Sequence, residues 1–472
     1  MSAFDCAMLV YEPLRQRRKD NSFDGNDNVG AKVIIDVLER AGLRVGYVTP
    51  ATAHTVPLVL ISLTSTYDVY ALYAAVALRP EWQPGQRRFK VLAGGFGMQN
   101  PIAVRNYIDY AAFGRAHEWV YDIVQKLLGG GSVTHQSIMD CQILNPVKIS
   151  QAALYPHEVA GFTETFTGCP LKCKFCHYTF AREHAGSDES YSSGMYVQST
   201  LTGGGSPEVT WPQLLTWPKK AGRIRVAIDG TSERLRYLYG KRISNADIIA
   251  GINQLGSFGQ NATTLMVYNI GNMPGETADD FAEFVDTVSQ ANPKYRVIFV
   301  LHTTPFRPSL ATPMQWEGVN LLPDWSKRRA KVIVDRPNLR VVHSFTLETP
   351  WSHLRSIIVE RATVEDDAVI HAVAFSPKLA AARADKAMAL FQRNFDITRW
   401  TAARDIDGPP PAPFLSGYLS DDTLRKIAHK MRRQCTSGIV PGVRVIKIAQ
   451  KIDDSAMPAM HSTDAKGMHD DA

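Results

Sequence analysis

The sequence predicts an α/β protein: a doubly wound parallel sheet, then a second strand–helix alternation, then a mainly helical extension. Three observations carry this expectation. Short apolar runs bounded by turn residues alternate with segments of helical spacing from residue 5 to about 130. The alternation restarts near residue 159, after a stretch at 131–158 that reads as a linker. Beyond residue 321 the spacing turns helical at 363–391 and 420–433, interrupted by Pro409-Pro410-Pro411. A chain of 472 residues, 45% hydrophobic and 21% charged, has room for two or three ordinary globular cores.

In chain order, residues 7–11 read as a buried strand, and 13–28 as a polar loop. Helical spacing at 29–41 closes at Gly42. Further strands are expected at 45–48, 58–63, 89–93 and 110–113, with helices at 67–78, 101–109 and 116–128. Ligands of such a domain, residues 1–130, sit outside the carboxyl ends of its strands. The glycines of Gly94-Gly95-Phe96-Gly97 allow a flat ligand to approach the backbone there, or equally serve a tight turn. In the second unit, 159–320, strands are expected at 159–166, 195–201, 223–228, 263–270 and 296–301. Helices are expected there at 176–184, 212–218, 244–256 and 277–290. Residues 321–452 read as an extension closing the mouth of that unit, and the polar tail at 453–472 as disordered.

Of six cysteines, Cys169, Cys173 and Cys176 share one loop with the spacing C-x3-C-x2-C, and Phe175 precedes the last of them. Cys6, Cys141 and Cys435 are scattered, which suits a reducing cytoplasm better than a disulfide framework. Three thiolates on a tight loop suit a [4Fe–4S] cube and leave one iron without a protein ligand, where usual clusters have four. A zinc knuckle and three unconnected buried thiols are the alternatives. Zinc usually takes four Cys/His ligands, and His177, directly beside Cys176, is awkwardly placed to join.

The cysteine spacing resembles the signature of the radical S-adenosylmethionine (SAM) superfamily. The resemblance implies a partial (β/α)6 barrel for 159–320, with catalytic groups at the carboxyl ends of its strands. It implies SAM chelated to the open iron and cleaved by one electron to a 5′-deoxyadenosyl radical that takes hydrogen from substrate. It also implies a flavodoxin- or ferredoxin-like reductant. Phe175 lies in this signature. Gly203-Gly204-Gly205, centred on Gly204, resembles the segment that binds the SAM amino group, with Ser206 where an acidic residue usually follows. Asp229–Leu235 resembles a G-S-E-R-x-L stretch whose polar groups reach the SAM ribose and carboxylate, which implies contacts from Ser232 and Glu233; helix capping by Thr231 or Ser232 accounts for the same residues. Tyr268–Thr277 resembles N-I-x-G-x-P-G-E-T, which places Asn269 and Gly271 near adenine and leaves Glu276 and Thr277 to cap the next helix. Val300–Pro313 resembles the last barrel strand and its loop, with His302 near the mouth as an acid–base group or a structural partner.

Residues 1–130 resemble the cobalamin-binding domain that precedes many such barrels. The D-x-H-x-x-G motif is absent and 13–28 contains no histidine. The resemblance therefore implies either cobalamin held without a histidine ligand or a remnant kept as scaffold.

No apolar run approaches the roughly 18 residues that span a bilayer, and residues 1–6 lack a basic segment followed by an apolar core, so neither membrane nor secretory signal is expected. The net charge of +6 includes three basic clusters: Arg15 to Lys19, Lys327 to Lys331, and Arg425 to Arg433. Solvated faces explain each singly; together they keep a nucleic acid in view. Two substrate classes follow. One is a nucleobase of DNA or RNA, stacked among the 8 Trp and 17 Tyr and isomerised at an amino-acid substituent. Radical SAM members make such hypermodified bases in phage DNA, so a phage-encoded chain would act in the host cytoplasm. The other is a small-molecule or peptide natural product, methylated or rearranged with cobalamin. No second cysteine triad exists for an auxiliary cluster, which argues against sulfur insertion.

Overall fold

The computed structural model describes residues 3–11, 29–63, 66–95, 97–98, 100–113, 116–131, 133, 136–138, 141–144, 155–159, 162–163, 166–167, 173–177, 180, 185–186, 197–198, 211–215, 222–258, 262–321, 330–346, 349–376, 378–379, 384–411 and 420–437. The chain is α/β. In the first sheet β1 (Cys6–Leu9), β2 (Val45–Val48), β3 (Leu58–Ser62), β4 (Lys90–Gly94) and β5 (Tyr110–Ala112) run parallel. Their apolar side chains alternate between two cores, as a sheet covered on both faces requires. Leu58 and Leu60 meet helices α1 (Val29–Arg40) and α3 (Val120–Leu128), whereas Val59 and Ile61 face the opposite way, toward α2 (Thr66–Val76).

Two further strands, β6 (Gln136–Ile138) and β7 (Cys141–Leu144), fall in the stretch read as a linker. β7 pairs parallel with β5 and β6 antiparallel with β7, which gives the order β2-β1-β3-β4-β5-β7-β6. The segment expected as a helix at 101–109 is a 3-10 turn, Pro101–Tyr107. Asn100 holds it: its side-chain oxygen accepts from Ile102 N at 3.1 Å, while its amide donates to the Glu360 and Ala362 carbonyls. Tertiary bonds there override local helical spacing.

Where one strand was expected at 159–166, two short ones form, β8 (Phe162–Thr163) and β9 (Phe166–Thr167). They pair antiparallel with β11 (Val197–Gln198) and β10 (Ala185–Gly186), respectively. Among the described residues, the second large sheet has five strands. β12 (Arg223–Ala227), β13 (Thr263–Gly271), β14 (Val297–Pro305) and β16 (Leu339–Phe345) are parallel neighbours, and β15 (Lys331–Arg336) closes the edge antiparallel to β16. Leu265, Val267, Phe299, Leu301 and Val341 pack on α6 (Asn245–Leu255) and α7 (Ala278–Gln290). Before these stand α4 (Trp211–Leu215) and α5 (Glu233–Leu238).

The extension differs from expectation in two ways. It supplies the β15–β16 hairpin, and its helices α8 (Pro350–Arg361), α9 (Asp367–Phe375), α10 (Ala384–Gln392) and α11 (Thr398–Thr401) cover the first sheet. Trp351, Leu354, Ile358, Phe391 and Trp400 share one apolar core with Val59, Ile61, Val91 and Ala93. The hydrophobic face of a sheet must be buried by some element, and here the C-terminal helices do it. The last described helix, α12 (Asp421–Ser437), packs near α5. The tail at 453–472 lies outside the described residues.

Candidate functional site

The candidate residues of the second sheet lie at the carboxyl ends of β12, β13 and β14 or in the loops after them. After β12 the backbone turns through Asp229 at φ +45° and Gly230 at φ +156°. Lys241 Nζ donates to Asp229 Oδ2 at 2.6 Å, and both side chains are nearly buried. Arg236 lies beneath, fully buried, donating to the carbonyls of Gly230, Thr231 and Ile243. Burial brings its guanidinium down to about 10.

Ser232 is the N-cap of α5. Its Oγ accepts from Leu235 N at 3.1 Å and donates to Asp280 Oδ1 at 2.5 Å. Asp280 also takes Arg234 at 2.6 Å. The Glu233 carboxylate accepts from Asn245 N at 2.6 Å, and the Glu233 amide donates to Glu283. Both residues expected to reach SAM therefore bind α5 to its neighbouring helices. Thr277 caps α7 with Asp280, as expected, whereas Glu276 folds back onto Met273 N at 3.0 Å. Burial pushes the Glu276 carboxyl above its ordinary range.

Asn269 and Gly271 line a cleft of about 1350 Å3 at the carboxyl ends of β13, β14 and β16. Asn269 Oδ1 accepts from Gly230 N at 2.8 Å, and its amide reaches Thr303 Oγ1 at 3.4 Å. Thr303 Oγ1 in turn lies 2.9 Å from His343 Nε2. The His343 ring stacks on Phe281 at 4.9 Å and meets Phe345 at 4.2 Å. A polar string thus crosses from β12 to β16 and ends in an aromatic wall. His343, Thr303 and Phe281 were not among the candidates. The available signal was the alternation His343-x-Phe345, two residues that share a strand face at a carboxyl end.

His302 follows the opposite parity from Thr303, so its side chain leaves the other face of the sheet. Its Nδ1 lies 3.0 Å from Ser344 Oγ, its ring meets Tyr268 edge-on at 6.0 Å, and burial lowers its pKa. It does not line the cleft.

The described part of the cysteine loop is a turn closed by Cys176 N donating to the Cys173 carbonyl at 3.1 Å. Lys174 N donates to the Tyr239 carbonyl at 2.9 Å, and its ammonium to the Leu238 carbonyl. Burial first, then the charge of Lys430, holds the Lys174 ammonium below its ordinary range. Phe175 sits in an apolar cluster with Tyr239, Ile270, Met273, Phe306 and Met431. His177 Nδ1 lies 2.7 Å from the Leu310 carbonyl. Met273 belongs to this cluster and also lines the cleft, so cysteine turn and cleft share a wall.

Cys169 and Gly204 lie outside the described residues. Among the described residues, no three His, Cys, Asp or Glu side chains converge as metal ligands. Cys173 and Cys176 place two thiols on one turn beside a dry apolar wall, a donor set that suits an iron–sulfur cluster. The glycine pair of the first sheet sits in a tight turn, where Met98 N donates to the Gly95 carbonyl at 3.1 Å. Gly95 stands at φ +104°, and a Cβ there would lie 2.3 Å from the Leu63 carbonyl oxygen. Glycine there lets the Leu63 backbone approach closely.

No family model matches the chain, and no curated protein matches it. Among solved structures it is similar to an apo, SeMet-labeled structure of OxsB, a cobalamin-dependent S-adenosylmethionine radical enzyme, at 9% identity and a TM-score of 0.27. The match covers 92% of this chain and spans 56% of that one. Among the described residues, no helix is long and apolar enough to cross a membrane.

Proposed function

We propose that this chain is a radical SAM enzyme whose Cys169, Cys173 and Cys176 hold a [4Fe–4S] cluster, with SAM bound at the carboxyl ends of β12–β14. The carrying observation is that Lys174 and Phe175 fasten the Cys173–Cys176 turn to α5 and to the loop after β13. When bound, the cluster and SAM supply an electron and a 5′-deoxyadenosyl radical.

The chain's own residues do the rest. Lys174 fixes the turn at two carbonyls. Phe175, Tyr239, Met273 and Phe306 exclude water beside it. Across Met273, the cleft offers Phe281, His343 and Phe345 as flat surfaces, with Asn269 and Thr303 as hydrogen-bonding groups. Such a platform supports a nucleobase of DNA or RNA as substrate, isomerised after hydrogen abstraction, because stacking accepts any flat ring.

Anaerobic incubation of reconstituted protein with SAM and dithionite should release 5′-deoxyadenosine, and replacing all three cysteines by alanine should abolish it. Release that survives the triple replacement would overturn the proposal.

A further inference from the structure

Lys331 opens β15, directly across the antiparallel ladder from His343 on β16. Both residues line the cleft, as does Ile333 further along β15. Residues so opposed hold their Cβ atoms about 4.5–5.5 Å apart, so the lysine stem starts beside the histidine ring. That ring stands with Phe281 and Phe345 in the aromatic wall. Lys331 is also the described cation of the basic cluster Lys327 to Lys331, which the proposed function leaves unused.

The charges around the cleft single out this ammonium. Among the described residues, the ionisable lining groups are Glu276, Glu317, Lys331 and His343. Glu317 already holds Arg432 at 2.8 Å. Glu276 accepts from Met273 N at 3.0 Å, and burial favours its neutral form. Lys331 is exposed, and among the described residues no carboxylate pairs with it. The β15 end of the cleft therefore offers an uncompensated cation beside flat rings. A ligand complementary to both carries an anion a short reach from a flat ring. Base, sugar and phosphate have that layout, and lysine serves phosphate as a point charge on a flexible stem.

We propose that Lys331 binds the phosphate of a nucleotide whose base stacks on the wall of Phe281, His343 and Phe345. The inference rests on the nucleobase reading above and narrows it. A free base or nucleoside lacks the group that Lys331 recognises, whereas a free nucleotide and a strand of DNA or RNA both present it.

The test measures binding of thymidine, thymidine 5′-monophosphate and a short single-stranded oligothymidylate to the full chain and to Lys331→Gln and Lys331→Arg variants. Lys331 is exposed at a strand end, so neither change disturbs a core. A charge-assisted bond implies that the wild type binds the monophosphate about tenfold or more tightly than thymidine. Lys331→Gln should bring the two within about twofold. Lys331→Arg should keep most of the preference, and added salt should shrink it in the wild type. Equal wild-type affinities for thymidine and its monophosphate overturn the proposal, as does a preference that survives Lys331→Gln. The oligothymidylate identifies the source of the phosphate. Strand binding weakened by Lys331→Gln marks a nucleic acid, and a Lys331-dependent preference for the monophosphate alone marks a free nucleotide; each upholds the contact. His343→Ala separates this inference from the reading beneath it. Thymidine binding that depends on His343 but gains nothing from the phosphate would remove the lysine contact and keep the stacked base. A Lys331-dependent preference with thymidine affinity untouched by His343→Ala would count against the stacked base alone, and binding of none of the three ligands overturns both.

Discussion

Lys174 donates its backbone amide to the Tyr239 carbonyl at 2.9 Å, and Tyr239 is the C-cap of α5. One residue of the cysteine turn therefore closes a helix end, and its ammonium meets a second carbonyl there, that of Leu238. Lys174→Met keeps the stem and removes the cation. It should lower unfolding stability by about 1 kcal/mol and speed the loss of iron to a chelator several-fold. Iron release at the wild-type rate would show that the turn does not depend on this bond.

Ser232 gives a contrasting expectation. With its hydroxyl engaged by Leu235 N and Asp280, Ser232→Ala should cost about 1 kcal/mol in urea unfolding, the usual cost of a lost N-cap. SAM affinity measured by equilibrium dialysis should stay within about twofold. A large loss of affinity at unchanged stability would reverse this assignment and restore a direct contact.

His343 carries the aromatic wall of the cleft. His343→Ala removes the ring stacked on Phe281 and leaves Thr303 Oγ1 without that partner. Stacking on a base is worth about 1–3 kcal/mol, so affinity for a nucleobase-containing substrate should fall about 5- to 150-fold. His343→Phe should restore part of it. Equal binding by all three proteins would exclude the wall from recognition.

His302 should leave a signature in pH. Burial holds its imidazole below the ordinary value of about 6.5, so the unfolded chain takes up that proton at higher pH than the folded one. Its contribution to stability is complete above about pH 6.5, falls as pH drops toward the lowered folded value, and levels off below it. His302→Gln should flatten that part of a stability-against-pH curve. Parallel curves for wild type and variant would contradict the assignment.

Much of this was legible in the sequence because strong local patterns coincide with buried runs. β2, β12, β13 and β14 fall where apolar runs meet turn residues, and the Tyr268–Thr277 segment marked the loop that shapes the cleft. What was missed depends on partners distant in sequence. Lys331 to Arg336 and Leu339 to Phe345 are β-branched runs either side of Pro337-Asn338, a hairpin pattern hidden inside a region read as helical. β6 and β7 are three and four residues long, too short for periodicity to register. The 3-10 turn at 101–107 owes its form to Asn100 bonding residues some 260 positions away. Ser232 and Glu233 look alike in a motif whether they face a cofactor or a neighbouring helix; their bonds to Asp280 and Asn245 depend on residues distant in sequence.

The most direct test of the iron–sulfur assignment is electron paramagnetic resonance of the anaerobically reconstituted, reduced full chain before and after adding SAM. A reduced [4Fe–4S] signal that shifts on SAM addition and disappears when Cys173 and Cys176 are replaced by alanine is the expected result. Tetrahedral zinc in place of iron, or a cluster signal indifferent to SAM, would contradict it.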